Sequence, residues 1–566
     1  MKSPAGRNTG FLPMDTFNHE YFISDRSIFM ISSIDRDKCV GCGTCTKSCG
    51  LDVFRLDTDQ PEVSPCMGAC PAGTDIRGYQ AMLQRGDVRG ALECLKKSNP
   101  FPAITGRVCF HPCESECARR RVDEAVGINA VEQFLGDMDL ERETVKPARV
   151  HLAKVAVVGA GPAGLSAAWF LTCMGYEAVV YEAMPEAGGM LRYAIPAYRL
   201  PSEVVRKQVG MLTDMGVRFH FNTKIGKGAD ISVAELRRRG CRAVILAAGT
   251  SRSRKIPVEG GELPGVFWGL EFLRAVRCGE APRLSGTVAV VGGGDVAVDA
   301  AISARRLGAA RVIMASLEAE GQLPAYPHNI ADAVREGVEF NCGVGPVRVE
   351  ERNGAASALV LRKCLRVFNA EGKFAPEFDD QALSRLEAST IIFAIGQAPE
   401  SGLFDEDADM MPNGYARADS LTGETGKQAV FAAGDIATGP ASVIRAIAGG
   451  REAAISADRY LRGMVILGER GRARPLVPEE KLPGKGIASL PRHERTIGEN
   501  CSGFDEIRRG LRLDEVLAES LRCMTCGSKS HITYNDDCMT CYTCELVCPA
   551  DAINVHPFKE TLPRTL

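Results

Sequence analysis

Two cysteine runs of identical spacing stand near opposite ends of the chain: Cys39-x-x-Cys42-x-x-Cys45-x-x-x-Cys49 and Cys538-x-x-Cys541-x-x-Cys544-x-x-x-Cys548-Pro549. Thiolates a few residues apart converge on a soft metal centre, and this spacing is that of a [4Fe–4S] cluster loop. The chain has 22 cysteines in 566 residues, many of them in short groups near 39–49, 66–70, 109–117 and 523–548. Disulfides, zinc and clusters could each use cysteines so grouped. The N-terminal stretch has no apolar signal core, which predicts a cytoplasmic protein whose thiols stay reduced and disfavours a disulfide framework.

Composition narrows the partners. A formal net charge of −3 argues against nucleic acid or an anionic membrane. The longest apolar runs, such as 154–158 and 288–291, are strand-length and too short to span a bilayer, so no membrane insertion is expected. The length suits three or four domains. Residues 1–30 read as an N-terminal arm, 31–62 as the first cysteine half, and 63–150 as a helical segment with further cysteines. Strands, Gly-rich turns and helices then alternate to about residue 465 in a βαβ pattern. Residues 466–520 read as linker and helix, and 521–566 carry the last cysteines.

Within the βαβ region lie two dinucleotide fingerprints. In the first, Lys154-Val-Ala-Val-Val-Gly159-Ala-Gly161-Pro162-Ala163-Gly164, an apolar strand runs into GxGxxG and a helical segment follows. The glycines permit a tight turn and let a pyrophosphate approach the helix N-terminus. The next strand, 177–181, ends at Glu182, placed to bind a ribose hydroxyl. The second, Gly286-Thr-Val-Ala-Val-Val-Gly292-Gly-Gly294-Asp295-Val296-Ala297, has alanine for the third glycine, and its following strand leads to Glu318. Two such folds in one chain usually mean one flavin and one nicotinamide nucleotide.

The order of the motifs resembles that of two-dinucleotide flavoproteins. Gly188-Gly189-Met-Leu-Arg192 and Ile195-Pro-Ala-Tyr-Arg199-Leu-Pro201 follow the first site, and Val430-Phe-Ala-Ala-Gly434-Asp435 returns to it much later. By that resemblance the first site takes FAD, with Val443 among its contacts, and the nicotinamide domain is inserted in the FAD domain. The expected divisions are 151–285 and 401–465 for FAD and 286–400 for NAD(H), with Gly249 and Gly396 at the two crossings.

More specifically, residues 63–465 resemble the small subunit of glutamate synthase and its relatives, which include the N-terminal half of dihydropyrimidine dehydrogenase and NAD(P)H:ferredoxin oxidoreductases. Asn99-Pro-Phe-Pro-Ala-Ile-Thr-Gly-Arg-Val-Cys109 and Cys113-Glu-Ser-Glu-Cys117 carry that likeness. Two departures are informative. Family members preferring NADPH tend to carry paired arginines where this chain has Ser316-Leu-Glu318; Glu318 would repel a 2′-phosphate, so NAD(H) is expected over NADP(H). The family's Cys-x-x-Cys-Gly is missing just before Cys66, yet Cys523-Met-Thr-Cys526-Gly matches it at the far end of the chain.

The terminal runs resemble the two halves of a bacterial two-cluster ferredoxin, in which the fourth cysteine of each run serves the other cluster. Read as one fold cut open at 57–61 and 532–536, one cluster uses Cys39, Cys42, Cys45 and Cys548, and the other Cys538, Cys541, Cys544 and Cys49. The rival is two independent modules, each using its own four cysteines. The family resemblance implies a third cluster on Cys70, Cys109, Cys113 and Glu132, and a fourth on Cys66, Cys117, Cys523 and Cys526. A zinc site at Cys523 and Cys526 would lack an evident second ligand pair.

The expected architecture is therefore multidomain α/β plus α: two Rossmann-like domains, an α-helical iron–sulfur domain, and a ferredoxin-like 2[4Fe–4S] domain formed from both chain ends. The expected function is electron transfer between NAD(H), FAD and four [4Fe–4S] clusters, to or from a separate catalytic redox subunit or soluble ferredoxin, within a hetero-oligomeric complex. No acid–base or nucleophile constellation is found, consistent with hydride transfer by the flavin. An electron-bifurcating subunit and the glutamate synthase small subunit itself are the alternatives; a redox-inert scaffold with structural metals leaves both dinucleotide motifs without a purpose.

Overall fold

A computed structural model describes residues 31–555, apart from 32, 52, 469, 485, 499–502 and 535–536. The expected N-terminal arm, Cys501 and the last eleven residues lie outside the described ones. The chain divides into two compact units, one built from residues up to 60 with 478–488 and 524 onward, the other from 61–477 and 489–523.

In the smaller unit the two ends of the chain pair with each other. Strand Ser33–Ile34 runs antiparallel to Ile553–Asn554, and Phe54–Asp57 antiparallel to Lys529–Ile532. Each cysteine run carries one short helix, Thr44–Ser48 in one and Thr543–Leu546 in the other, and the two helices pack together. Ile31, Val53, Phe54, Ile553 and Val555 close a small core around Cys45 and Cys544. So little apolar material makes a marginal core.

The larger unit contains a helical part and two parallel sheets. Helices Ile76–Leu83, Val88–Lys96, Ile128–Asp139 and Leu513–Arg522 enclose Tyr79, Leu92, Leu95, Val131, Leu135 and Val516. Helix Pro102–Val108 lies very close to Ile128–Asp139: a Cβ on Gly136 would stand 2.0 Å from the Ala103 nitrogen. The first sheet runs Val430–Ala432, Cys241–Leu246, Lys154–Val158, Glu177–Tyr181, Arg218–His220, all parallel. The second runs Val338–Cys342, Arg311–Ser316, Thr287–Val291, Thr390–Phe393, Val266–Trp268, also parallel. The second sheet thus takes a strand at 266–268, ahead of residue 286 where the sequence places its start. That strand is three residues long and carries no turn motif, so nothing in its pattern announces it.

The chain passes between the sheets at Arg252–Ser253 and Gln397–Ala398, which pair antiparallel. Between Val338–Cys342 and Thr390–Phe393 it makes an excursion: strands Val344–Arg352, Ala355–Phe368 and Phe374–Glu387 form an antiparallel sheet. Within 466–500, expected as linker, Pro475 and Arg495 lie against the helical part. The Val63 amide donates to the Pro475 carbonyl, and Arg495 donates to the Gly106 carbonyl and the Gln133 side chain. No helix among the described residues is long and apolar enough to cross a membrane.

Candidate functional site

One cavity of about 1620 Å³ in the larger unit is lined by most of the residues expected to bind dinucleotides. At its first end stand Gly159, Gly161, Pro162, Ala163 and Glu182. Gly159 adopts φ +102°, and a Cβ there would meet the Ala247 carbonyl oxygen at 2.4 Å, so only glycine permits this turn. Gly189 crosses directly over Gly161, which keeps this rim bare of side chains. The Glu182 carboxylate accepts the Ala160 and Met184 amides at 2.7 and 2.9 Å, and burial pushes its acidity down, raising its pKa. A carboxylate held this way at a strand end is oriented and has lone pairs left for a sugar hydroxyl.

Gly434, Asp435 and Val443 close the same end from the returning segment. Asp435 accepts the Thr250 hydroxyl at 3.4 Å and the Ala441 amide at 3.3 Å; burial raises its pKa to about 6. Val443 opens the helix Val443–Leu461, which packs on Pro162–Cys173 with Gly450 against the Ala163 carbonyl.

At the second end Gly292, Gly294, Asp295, Val296 and Glu318 line the cavity. Gly292 repeats the geometry of Gly159: φ is +140°, and a Cβ would lie 2.3 Å from the Ala394 carbonyl oxygen. Asp295 accepts the Tyr326 amide and the Asn329 side chain at 3.1 and 2.7 Å. The Glu318 carboxylate overhangs Gly293 just past strand Arg311–Ser316. Gly249 and Gly396 line the middle, where the Thr250 hydroxyl donates to Gln397 at 3.0 Å. Arg199 also lines it, with one guanidinium nitrogen 2.9 and 2.8 Å from the two oxygens of buried Asp299.

Two expected contacts are placed elsewhere. Arg192 does not line the cavity: it pairs with Glu186 at 2.8 Å and donates to the Arg277 carbonyl, so it braces the loop after Gly189. Gly164 faces the Gly159 carbonyl, where a Cβ would come within 1.9 Å, and serves the contact between helix and strand.

The cavity reaches the helical part, where Cys109 and Phe110 form its wall. Cys70, Cys109, Cys113 and Glu132 lie near enough for their charges to interact. Glu132 is buried, receives the Tyr79 hydroxyl at 3.2 Å and has its pKa raised by burial to about 8. A buried carboxyl with one hydrogen bond and no cation fits a cluster ligand better than the helix-surface acid its position on a helix would otherwise suggest. Cys66, Cys117 and Cys523 form a second group; Cys526 belongs to the smaller unit.

Within that unit two small cavities divide the eight cysteines. Cys39, Cys42, Cys45 and Cys548 line one; Cys49, Cys538, Cys541 and Cys544 line the other. The Ser530 amide approaches the Cys39 sulfur at 3.4 Å and the Ala552 amide the Cys548 sulfur at 3.3 Å. Burial pushes the Cys45 and Cys109 thiols up to about 12 and the Cys544 thiol to about 11. Burial disfavours the charged thiolate at these positions. Among the described residues no three His, Cys, Asp or Glu side chains converge to hold a single metal ion. The thiols instead ring cavities, as ligands of a multi-iron cube do.

Cavity residues that no motif announces include Phe110, stacked on Tyr326 at 3.7 Å, and Arg362 and Phe378 from the antiparallel excursion. They come from elements whose approach is set by tertiary packing, and their local sequence holds no signature.

The comparisons with known proteins agree with this geometry. Residues 153–450 match the pyridine nucleotide-disulphide oxidoreductase family, and 60–144 match the domain described as dihydropyrimidine dehydrogenase domain II, 4Fe-4S cluster. The chain belongs to the pyridine nucleotide-disulphide oxidoreductase family and is an FAD- and iron–sulfur-dependent oxidoreductase. Among curated relatives it is 31% identical to the NADP(+)-dependent formate dehydrogenase subunit beta of Moorella thermoacetica, over 87% of this chain and 74% of that one. It is 32% identical to the glutamate synthase [NADPH] small chain of Azospirillum brasilense, over 70% and 86%. It is 30% identical to the NAD-dependent dihydropyrimidine dehydrogenase subunit PreT of Salmonella typhimurium, over 70% and 91%.

Proposed function

We propose that the chain is the electron-transfer subunit of a larger redox complex and carries electrons between NAD(H), one FAD and four [4Fe–4S] clusters. The observation that carries this reading is continuity. Cys109 shares a cavity wall with both dinucleotide sites, so a centre on Cys70, Cys109, Cys113 and Glu132 would stand beside the flavin. Bound FAD supplies the conversion between a two-electron hydride and single electrons. The chain's own part is positional. Glu182 and Glu318 orient the two riboses, and the turns at Gly159 and Gly292 admit the pyrophosphates. The thiols and Glu132 hold the clusters.

In this reading residues 31–57 and 529–555 form one ferredoxin-type domain. Its support is the crossing of fourth cysteines: Cys548 lies with the first run and Cys49 with the second. The fourth cluster would draw on Cys66, Cys117 and Cys523. The acceptor or donor is a separate redox protein, in a cytoplasmic complex. The relatives named for NADP(H) use a phosphorylated nucleotide; here Glu318 overhangs Gly293, where a 2′-phosphate would meet a like charge, and NAD(H) is favoured. Anaerobic titration of the visible spectrum decides this: bleaching at lower NADH than NADPH supports the reading, and bleaching by NADPH alone overturns it.

A further inference from the structure

The antiparallel excursion does more than decorate the nicotinamide sheet. It begins at Gly343, whose amide donates to the Glu318 carbonyl at 2.8 Å, so the excursion is tied to the ribose acid itself. From there its strands send Arg362, Phe374, Pro376 and Phe378 to the wall of the large cavity, at the end held by Glu318 and Gly293.

The geometry of Arg362 is specific. Its guanidinium lies over the Phe378 ring, 3.9 Å from the centroid, and one terminal nitrogen donates to Asp380 at 2.6 Å. Its Nε is shielded from water and has no hydrogen-bond partner among the described residues. Phe378 packs on Gly345, where a Cβ would come within 2.5 Å of the ring. The pairing of the long strands explains the placement. Arg362 faces Leu383 while Lys363 faces Asp379, so residues 380–382 bulge from the partner strand and carry Asp380 to the guanidinium. Bulges of this kind re-aim side chains at functional edges. One flat face of the guanidinium is covered by Phe378, and the residue lines the cavity, so the other face is offered to it.

A planar cation pre-stacked on an aromatic ring, beside a ribose-binding acid, matches a purine. We propose that Arg362, braced by Phe378 and Asp380, is the stacking platform for the adenine of the nicotinamide dinucleotide, with Phe374 and Pro376 as the apolar wall of that subsite. The proposal rests on the reading of the second fingerprint as a nicotinamide nucleotide site. It assigns adenosine recognition to a segment outside the parallel sheet.

The test is calorimetric binding of ADP-ribose and of oxidised nicotinamide mononucleotide to the full-length, cofactor-loaded protein. For Arg362→Ala, ADP-ribose affinity should fall at least tenfold, and its ratio to the mononucleotide affinity should fall with it. Arg362→Lys keeps the charge and loses the plane, so it should show the same loss. ADP-ribose binding to Arg362→Ala as tight as to the wild type, or full affinity in Arg362→Lys, overturns the stacking platform while leaving the nucleotide site intact. Failure of the wild type to bind ADP-ribose overturns both.

Discussion

Arg522 is the last residue of helix Leu513–Arg522, immediately before Cys523, and its side chain is 0% exposed. It makes five hydrogen bonds: to Glu519 at 2.6 Å, to Asp123 at 2.9 Å, and to the carbonyls of Glu124, Ala125 and Leu490. Glu519, also 0% exposed, in turn accepts the amides of Gly127 and His493 at 2.6 and 2.8 Å. The pair therefore joins the helix carrying Cys523 to the segment that starts the Glu132 helix. Arg522→Met removes the cation and leaves the fully buried Glu519 without its ion-pair partner, while Asp123 keeps Arg119. Breaking one side of a buried ion pair costs about 3–5 kcal/mol. The loss falls on the docking of one helix, so it appears as local opening before global unfolding. At 1.4 kcal/mol per factor of ten, a cost of about 4 kcal/mol raises the open population roughly a thousandfold. Hydrogen exchange of amides in 513–523 measures this directly. The expected result is exchange faster by two to three decades there (about 10²–10³-fold), with little change in the two parallel sheets. Exchange within about threefold of wild type would refute the argument that this pair holds the helix.

Three further outcomes are expected. Gly292→Ala places a Cβ 2.3 Å from the Ala394 carbonyl at a φ of +140°, so NADH should no longer bleach the flavin while flavin content and dithionite reduction persist; normal bleaching by NADH would contradict the assignment of this turn. Glu132→Ala should lower iron by about four per chain, because a [4Fe–4S] cluster loses a ligand in a buried site; unchanged iron and electron paramagnetic resonance spectra would remove Glu132 from the ligand set. Cys548→Ser should expose Cys39, Cys42 and Cys45 to alkylation and leave Cys538, Cys541 and Cys544 protected; the reverse pattern would favour two independent modules.

Much of this architecture was legible in the sequence, and the reasons are local. Strands Lys154–Val158 and Thr287–Val291 stand where apolar runs meet glycine turns, because the chemistry of a pyrophosphate turn is written in adjacent residues. The spacing of the two cysteine runs left open two independent modules; the placing of Cys548 with the first run and Cys49 with the second came from the resemblance to a two-cluster ferredoxin, and the two cavities are lined in that crossed arrangement. What was not legible depends on packing between distant segments. Arg192 has the look of a cofactor contact in its motif, yet it pairs with Glu186, six residues earlier, and Arg277 fills in behind it. The strand at 266–268 gains its identity only from pairing with Thr390–Phe393. Arg362 and Phe378 meet through a strand bulge, and Arg522 finds its partners some 400 residues away in sequence, at Asp123 and Ala125. Periodicity carries no trace of such contacts.

The central claim is that one chain holds four [4Fe–4S] clusters beside a single flavin. Iron, acid-labile sulfide and flavin per chain in anaerobically purified protein test it most directly. The account predicts about sixteen iron, about sixteen sulfide and one FAD. About eight iron with one FAD would contradict it, leaving either the paired chain ends or the helical part without clusters.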